Sequence, residues 1–213
     1  MRVRLALAFK NIDLKSVALP FQEDEVFFEL GVQRKVPVLV MPDGQVFQDS
    51  LQILWQIDEL FPQSPPLVDE RVDSDAWSAL LQWRQVAEPY FQRLYAPLLL
   101  AYSDVAESQE SIAEYKQQVQ HALGVSVEML ANDRYSLYAQ LESLSHLKSL
   151  SQLLARQGYY LSQPSIADCL LVADFYPLQL MDGINLPIDL LYYLQRIERE
   201  SGLNMQQGLL HPM

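Results

Sequence analysis

The chain has a single cysteine, Cys169, in 213 residues, which excludes an internal disulfide, a C-x-x-C redox pair and a cysteine-built zinc site. A reducing, cytoplasmic setting is the expectation that follows. Glycine is also scarce: seven residues against about 15 at average usage, which disfavours a hairpin-rich all-β fold and suits a mainly helical one. Basic residues are few, with Lys+Arg 15 against Asp+Glu 27 and a net charge of −12. Nucleic acid is thereby excluded as a partner, because neutralising phosphates requires clustered Lys and Arg. No apolar run approaches the ~20 residues that span a bilayer, and the apolar stretch at residues 2–9 is too short for a signal peptide. The three histidines, His121, His146 and His211, stand too far apart for a metal-ligand pattern. Glycine-rich phosphate loops and nucleophile-elbow patterns do not occur. What is abundant is apolar side chain: 50% hydrophobic with 20% charged residues describes a folded chain with a sizeable core, in one large domain or two small ones.

The apolar run from Val3 to Phe9 followed by Asn11 predicts a short helix over 2–10 that starts at the first residues and ends on an asparagine cap. Leu14 to Leu19 alternates and predicts a strand, and Glu23 to Leu30, acidic at its start and closed by Gly31, predicts a second short helix. Residues 35–47 predict a β-hairpin around Pro42-Asp43-Gly44, preceded by Pro37. Asp49-Ser50 then caps a helix to Phe61, whose apolar residues recur at helical spacing. Three prolines in Pro62 to Pro66 cannot continue that helix, so a domain boundary is placed there, with residues 1–61 as the first domain, 62–73 as a Pro-rich linker and 74–213 as a helical second domain. In the second domain helices are predicted over 74–100, with kinks at Pro89 and Pro97, and over 108–130, 136–157, 165–180 and 187–200. Leucines from Leu137 to Leu154 fall three or four apart, a pattern of one buried bundle face or of a short coiled coil. Asp73 and Asp75 suit a helix start better than a cation site, since negative charge is favoured there.

The order helix, strand, helix, proline-led hairpin and capped helix matches a thioredoxin-like α+β half-domain without its first strand, followed by an all-α helical bundle. The residues Val36-Pro37-Val38-Leu39, Asp49-Ser50 twelve residues beyond the proline, the Pro62 to Pro66 linker and Ser165-Ile166-Ala167-Asp168 at the head of an apolar helix together resemble the glutathione transferase superfamily. Gly183 to Pro187 and the overall length look most like its large two-domain bacterial glutaredoxins. The resemblance implies glutathione as co-substrate, a small electrophile or mixed disulfide as second substrate, and a monomer or homodimer with no membrane or nucleic-acid partner. It implies a cis Val36-Pro37 bond, with Val36 offering its backbone to the peptide of glutathione. Asp49 and Ser50, at a helix start, would receive the γ-glutamyl ammonium and carboxylate. Taken singly, Asp49 or Ser50 reads first as a plain helix cap and Pro37 as a strand-edge proline, whereas together at this spacing they read as a site.

In that family the first strand leads into a turn bearing the catalytic Cys, Ser or Tyr, and Met1-Arg2-Val3-Arg4-Leu5-Ala6-Leu7 resembles the helix that follows the turn. The match places the nucleophile upstream of Met1, so Met1 is expected to be an internal methionine of a longer protein and the catalytic residue is unknown. Taken at face value, the chain reads as a non-catalytic binding or assembly relative. Ser165 and Asp168 fit a capping box, a folding element. Cys169, inside the apolar helix it starts, is expected to be an inert buried side chain. Glu142 and His146 read as a surface pair. Trp77, Trp83, Tyr90, Phe91 and Tyr95 are candidates for a hydrophobic co-substrate pocket, with core packing expected for most of them.

Overall fold

A computed structural model describes residues 1–210; His211 lies outside the described residues. The first helix, α1 (Arg2–Phe9), buries Leu5, Ala6 and Leu7 completely between α3 (Ser50–Leu60) and α9 (Ile166–Phe175). Each buried leucine is worth about 1.5–3 kcal/mol relative to exposure. Asn11 follows at φ 54, a left-handed value that suits asparagine, and its N–H bonds Ala8 O at 2.9 Å. After α2 (Glu25–Glu29), strands β1 (Val38–Val40) and β2 (Val46–Gln48) pair antiparallel with Val38 opposite Gln48 and Leu39 opposite Phe47. The turn between them needs Gly44 at φ 87, where a side chain is rarely accommodated.

The strand predicted at Leu14 to Leu19 does not form. Among the described residues, none from Asp13 to Leu19 makes a backbone hydrogen bond to another backbone group. The alternating pattern is there, but a strand exists only through a ladder partner, and β1 pairs on one side alone, with β2.

The rest of the described chain is helical, apart from turns. Ser74 caps α4 (Asp75–Leu98), accepting from Trp77 N–H at 3.3 Å, and α4 continues through both Pro89 and Pro97. The helix predicted over 108–130 is two, α5 (Gln109–Leu123) and α6 (Val127–Asn132), because Gly124 turns left-handed at φ 70. The helix predicted over 136–157 is likewise split into α7 (Arg134–Ser145) and α8 (Leu147–Gln157) by His146 at φ 46. That break removes the coiled-coil alternative. Leu137, Leu141, Leu147 and Leu154 are buried on either side of it, whereas Leu144 is exposed.

The apolar helix α9 lies at the centre, with every residue from Ile166 to Val172 buried, and α10 (Ile188–Ser201) packs on α8 and α9. The capping box is present. Asp168 accepts the Ser165 N–H and hydroxyl, each at 3.1 Å, the Tyr160 N–H at 3.0 Å and the Tyr193 hydroxyl at 2.7 Å. Burial raises the Asp168 carboxyl above its ordinary pKa despite these four donors. A small two-stranded sheet with flanking helices followed by a helical half is the expected thioredoxin-like and bundle arrangement. Among the described residues no helix is long and apolar enough to cross a membrane.

Candidate functional site

Three segments of the first 50 residues converge beside the helical half. The loop before β1 is held by Gln48, whose Nε2 donates to Gln33 O at 2.6 Å and Lys35 O at 2.7 Å while its Oε1 accepts from Gln33 N–H at 3.3 Å. The chain then passes through a cis Val36-Pro37 bond, as the resemblance implied, with Val36 exposed. Beyond β2, Asp49 takes φ 73 and ψ 120, a conformation that costs a non-glycine residue of order 1–3 kcal/mol and persists only where the surroundings impose it. They do so here through the helix start: Asp49 Oδ1 accepts from Leu51 N–H at 2.9 Å and Gln52 N–H at 3.3 Å, and Oδ2 lies 3.4 Å from Lys35 Nζ. The Gln52 and Leu51 N–H groups, with a smaller effect of Lys35, hold the Asp49 carboxyl below its ordinary pKa.

The third segment is α1. Arg2 reaches across the mouth of the site, donating from Nη1 to Ser50 Oγ at 3.4 Å and from Nη2 to Asp174 Oδ1 at 3.1 Å. Asp174, on α9, is almost fully buried and is held from the other side by Arg84 of α4, at 2.5 Å from Nε and 3.1 Å from Nη2. Burial opposes the charged Arg84, but the hydrogen bonds and charge of Asp174 outweigh it and leave the guanidinium pKa raised. The Tyr95 hydroxyl donates to the Asp174 backbone oxygen, and its pKa is pushed well up by burial and by the Asp174 charge. The Tyr95 hydroxyl is thus held as a donor to that oxygen.

These groups surround a cavity of about 330 Å³ lined by Arg2, Val36, Pro37, Ser50, Phe91 and Tyr95 among others. Of the four residues singled out in the sequence, Val36, Pro37 and Ser50 thus share one cavity wall, and Asp49 stands one residue before Ser50 with its side chain engaged in the helix cap. Of the five aromatic candidates, Phe91 and Tyr95 reach this cavity. Trp77 is buried against Trp55, with ring centroids 5.6 Å apart, and Trp83 stacks on Phe175 at 5.7 Å. Cys169 is fully buried in α9, and burial lifts its thiol pKa well above the ordinary value, so it offers no reactive thiolate. A larger cavity, about 590 Å³ between α1 and the C-terminal residues Ser201 to Gln207, contains none of the expected ligand residues.

Sequence reasoning did not find Arg2, Lys35, Arg84 or Asp174. Two of them left a signal. Arg84 falls on the buried stripe Trp77, Leu80, Arg84, Ala87, Phe91, Leu94 of α4, and Asp174 lies in the otherwise apolar α9. A charge on a core stripe demands a partner, and each is the other's.

Residues 1–65 match the family model of the glutathione S-transferase N-terminal domain. A probable maleylacetoacetate isomerase of Caenorhabditis elegans is 38% identical over 69 residues, 31% of this chain and 32% of that protein, so the match spans about a third of the curated relative's length. Among solved structures, glutaredoxin 2 of Salmonella typhimurium in complex with glutathione superposes with a TM-score of 0.81 at 18% identity, covering 96% of this chain and 90% of that one. Glutathione transferase GSTFuA3 of Phanerochaete chrysosporium gives 0.69 at 18% identity, over 93% and 88%. The glutathione S-transferase CsGST63524 of Ceriporiopsis subvermispora, in complex with glutathione, also gives 0.69 at 18% identity, over 93% and 89%. By sequence over its first 65 residues and by fold over nearly its whole length, the chain resembles the glutathione transferase superfamily, including its two-domain glutaredoxins.

Proposed function

We propose that this protein binds glutathione and serves glutathione-dependent thiol chemistry, either transfer of glutathione to a small electrophile or glutaredoxin-like reduction of a mixed disulfide. The observation that carries the reading is the convergence of Val36, Pro37 and Ser50 on one cavity, next to the strained cap residue Asp49, inside the segment that matches a glutathione S-transferase N-terminal domain. In this reading residues 1–61 form the glutathione-binding domain, 62–73 the linker and 74–213 the helical domain. Val36 pairs its exposed backbone with the peptide of glutathione. The Ser50 hydroxyl, at the start of α3, receives the γ-glutamyl carboxylate, and the second carboxylate oxygen of Asp49 takes the ammonium. Two relatives of the same fold were crystallised with glutathione, which supports the ligand's identity. The net charge of −12 gives no general attraction for this anion, so affinity rests on these local groups and on Arg2 and Lys35 beside them. A cytoplasmic location follows from the same reading, because reduced glutathione and an unpaired thiol belong to a reducing compartment.

A second reading, binding without turnover, is favoured by one observation: the hydroxyls of Ser50 and Tyr95 that line the cavity are engaged as hydrogen-bond partners, and Cys169 is buried elsewhere. Calorimetric titration of glutathione into wild type, Ser50→Ala and Asp49→Ala tests the shared core of both readings. Binding that is weakened about tenfold or more in each variant is expected, one lost charge-assisted hydrogen bond being worth about 1.5–3 kcal/mol. Equal affinity in all three overturns it. Glutathione-dependent reduction of hydroxyethyl disulfide then separates turnover from binding alone.

A further inference from the structure

The cavity lined by Val36, Pro37 and Ser50 has a second wall, formed by α4. Glu88, Phe91, Gln92 and Tyr95 stand at i, i+3, i+4 and i+7, so a single face of the helix supplies it. The rings of Phe91 and Tyr95 stack with centroids 5.6 Å apart and give this face an apolar surface. Glu88 and Gln92 are exposed, and Gln92 Nε2 donates to Glu88 Oε1 at 3.2 Å. The other charged side chains at the cavity answer one another: Asp174 holds Arg2 from one side and Arg84 from the other. Arg84 stands one turn before Glu88, where an i, i+4 ion pair would be ordinary, yet its guanidinium is turned inward to Asp174. Among the described residues Glu88 therefore has no ion-pair partner, and its second carboxylate oxygen accepts no hydrogen bond from the protein. Its charge reaches into the cavity: burial and Asp174 push the Tyr95 pKa up, and Glu88 adds to the rise. A carboxylate placed in this way is a fixed charge that any occupant of the cavity meets.

We propose that Glu88 selects the second substrate by charge, favouring an electrophile or mixed disulfide whose transferable group carries an ammonium or guanidinium and disfavouring one that carries a carboxylate. The inference rests on the glutathione reading and goes beyond it by naming the class of group that the sulfur of glutathione would hold. With the peptide along Val36 and Pro37 and the γ-glutamyl end at Ser50, the wall of the first domain is taken up, and a substituent on the sulfur is left the α4 wall. Its carbon stem lies on Phe91 and Tyr95, and its cationic end meets the unpaired carboxylate of Glu88. Arg2 does not cancel this preference, because Asp174 and Ser50 already hold it. The wall itself is set by the packing of α4 on α6, α7 and α9.

The experiment is calorimetric titration of the full chain at low salt with three conjugates of similar size, S-(2-aminoethyl)glutathione, S-propylglutathione and S-carboxymethylglutathione, and with glutathione itself as the reference. In wild type the cationic conjugate is expected to bind about tenfold more tightly than the anionic one, with the neutral one between them, since attraction and repulsion at one carboxylate add. Glu88→Gln keeps the shape of the side chain and is expected to bring that ratio to about twofold or less, and Glu88→Lys to reverse it. Both changes fall on an exposed position of α4 that takes part in no ion pair among the described residues, so the fold does not depend on them. High salt is expected to shrink the wild-type ratio. Binding of glutathione with no preference among the conjugates, or a preference that survives both Glu88→Gln and Glu88→Lys, overturns this inference and leaves the glutathione reading standing. Binding of glutathione but of none of the conjugates does the same. Failure of glutathione and all three conjugates alike overturns the glutathione reading and this inference with it.

Discussion

The Lys10 ammonium, fully withdrawn from solvent at the end of α1, lies 2.7 Å from Asp58 Oδ1 on α3. The pair is the knot of the Pro-rich segment. Lys10 Nζ also donates to Ser64 O at 3.3 Å and Pro65 O at 3.2 Å, the Ser64 hydroxyl returns a bond to Lys10 O at 2.6 Å, and Asp58 accepts from Leu67 N–H and Val68 N–H. A segment that reads as a linker because proline stops the helix is therefore pinned at both ends by one ion pair. Replacing Lys10 by Met strands the Asp58 carboxylate and frees two carbonyls, and the expected loss is about 3–5 kcal/mol. Asp58→Asn keeps part of the hydrogen bonding and should lose less. Urea denaturation of the two variants checks both the size and the order.

A similar argument applies to Arg84 and Asp174, which tie α4 to α9 under the candidate site. Asp174→Ala leaves the buried Arg84 guanidinium without its counter-charge and releases Arg2 from above, so a loss of about 3–5 kcal/mol is expected. The double variant Arg84→Met with Asp174→Ala removes both charges and should recover most of it. The two single changes are then strongly non-additive, with a coupling of about 3 kcal/mol or more in a double-mutant cycle. Additive losses would mean that the two groups do not support one another.

Much of this fold is legible in the chain because its signals are local. Asn11 and Gly31 end helices at the positive φ they favour, and Asp49, Ser74 and Ser165 start them with side-chain caps. The hairpin is announced by Pro42-Asp43-Gly44. Structure departs from pattern where the deciding partner is distant or the local cue is weak. Leu14 to Leu19 has the pattern of a strand but no ladder partner, and His146 breaks a helix that its neighbours' leucine spacing would continue. Of the site, Val36, Pro37, Asp49 and Ser50 could be named from spacing and resemblance. Arg2 could not, because its two partners, Ser50 and Asp174, lie 48 and 172 residues away.

The His146 break invites a stabilising substitution. At φ 46 and ψ 45 an L-residue is disfavoured by roughly 1–2 kcal/mol, whereas glycine enters that region freely. His146→Gly relieves the strain but adds unfolded-state entropy of roughly 0.5–1 kcal/mol. A net gain of about 0.5–1 kcal/mol is expected, a rise of roughly 1–4 °C in Tm for a chain of this size. A fall in Tm on differential scanning calorimetry would show that the His146 side chain contributes more than its backbone conformation loses.

Asp49 links stability to acid. Its folded pKa is depressed by the Gln52 and Leu51 N–H groups and by Lys35, so it contributes stability wherever the unfolded carboxyl is already ionised. That contribution is whole above about pH 5 and is lost as pH falls through the ordinary carboxylate value, about 3.9, towards the lower folded value. The Asp49 side chain is about half exposed, which screens its attraction to Lys35 and leaves the two backbone donors as the main source of the effect. Asp49→Asn preserves a cap and tolerates the positive φ, yet carries no proton-linked charge. The stability of wild type minus that of Asp49→Asn should therefore be level from pH 7 to pH 5 and decrease below it. Denaturation series at half-unit steps down to pH 3 provide the measurement, and a difference that widens as the pH falls would contradict the assignment of Asp49 as an ionised cap.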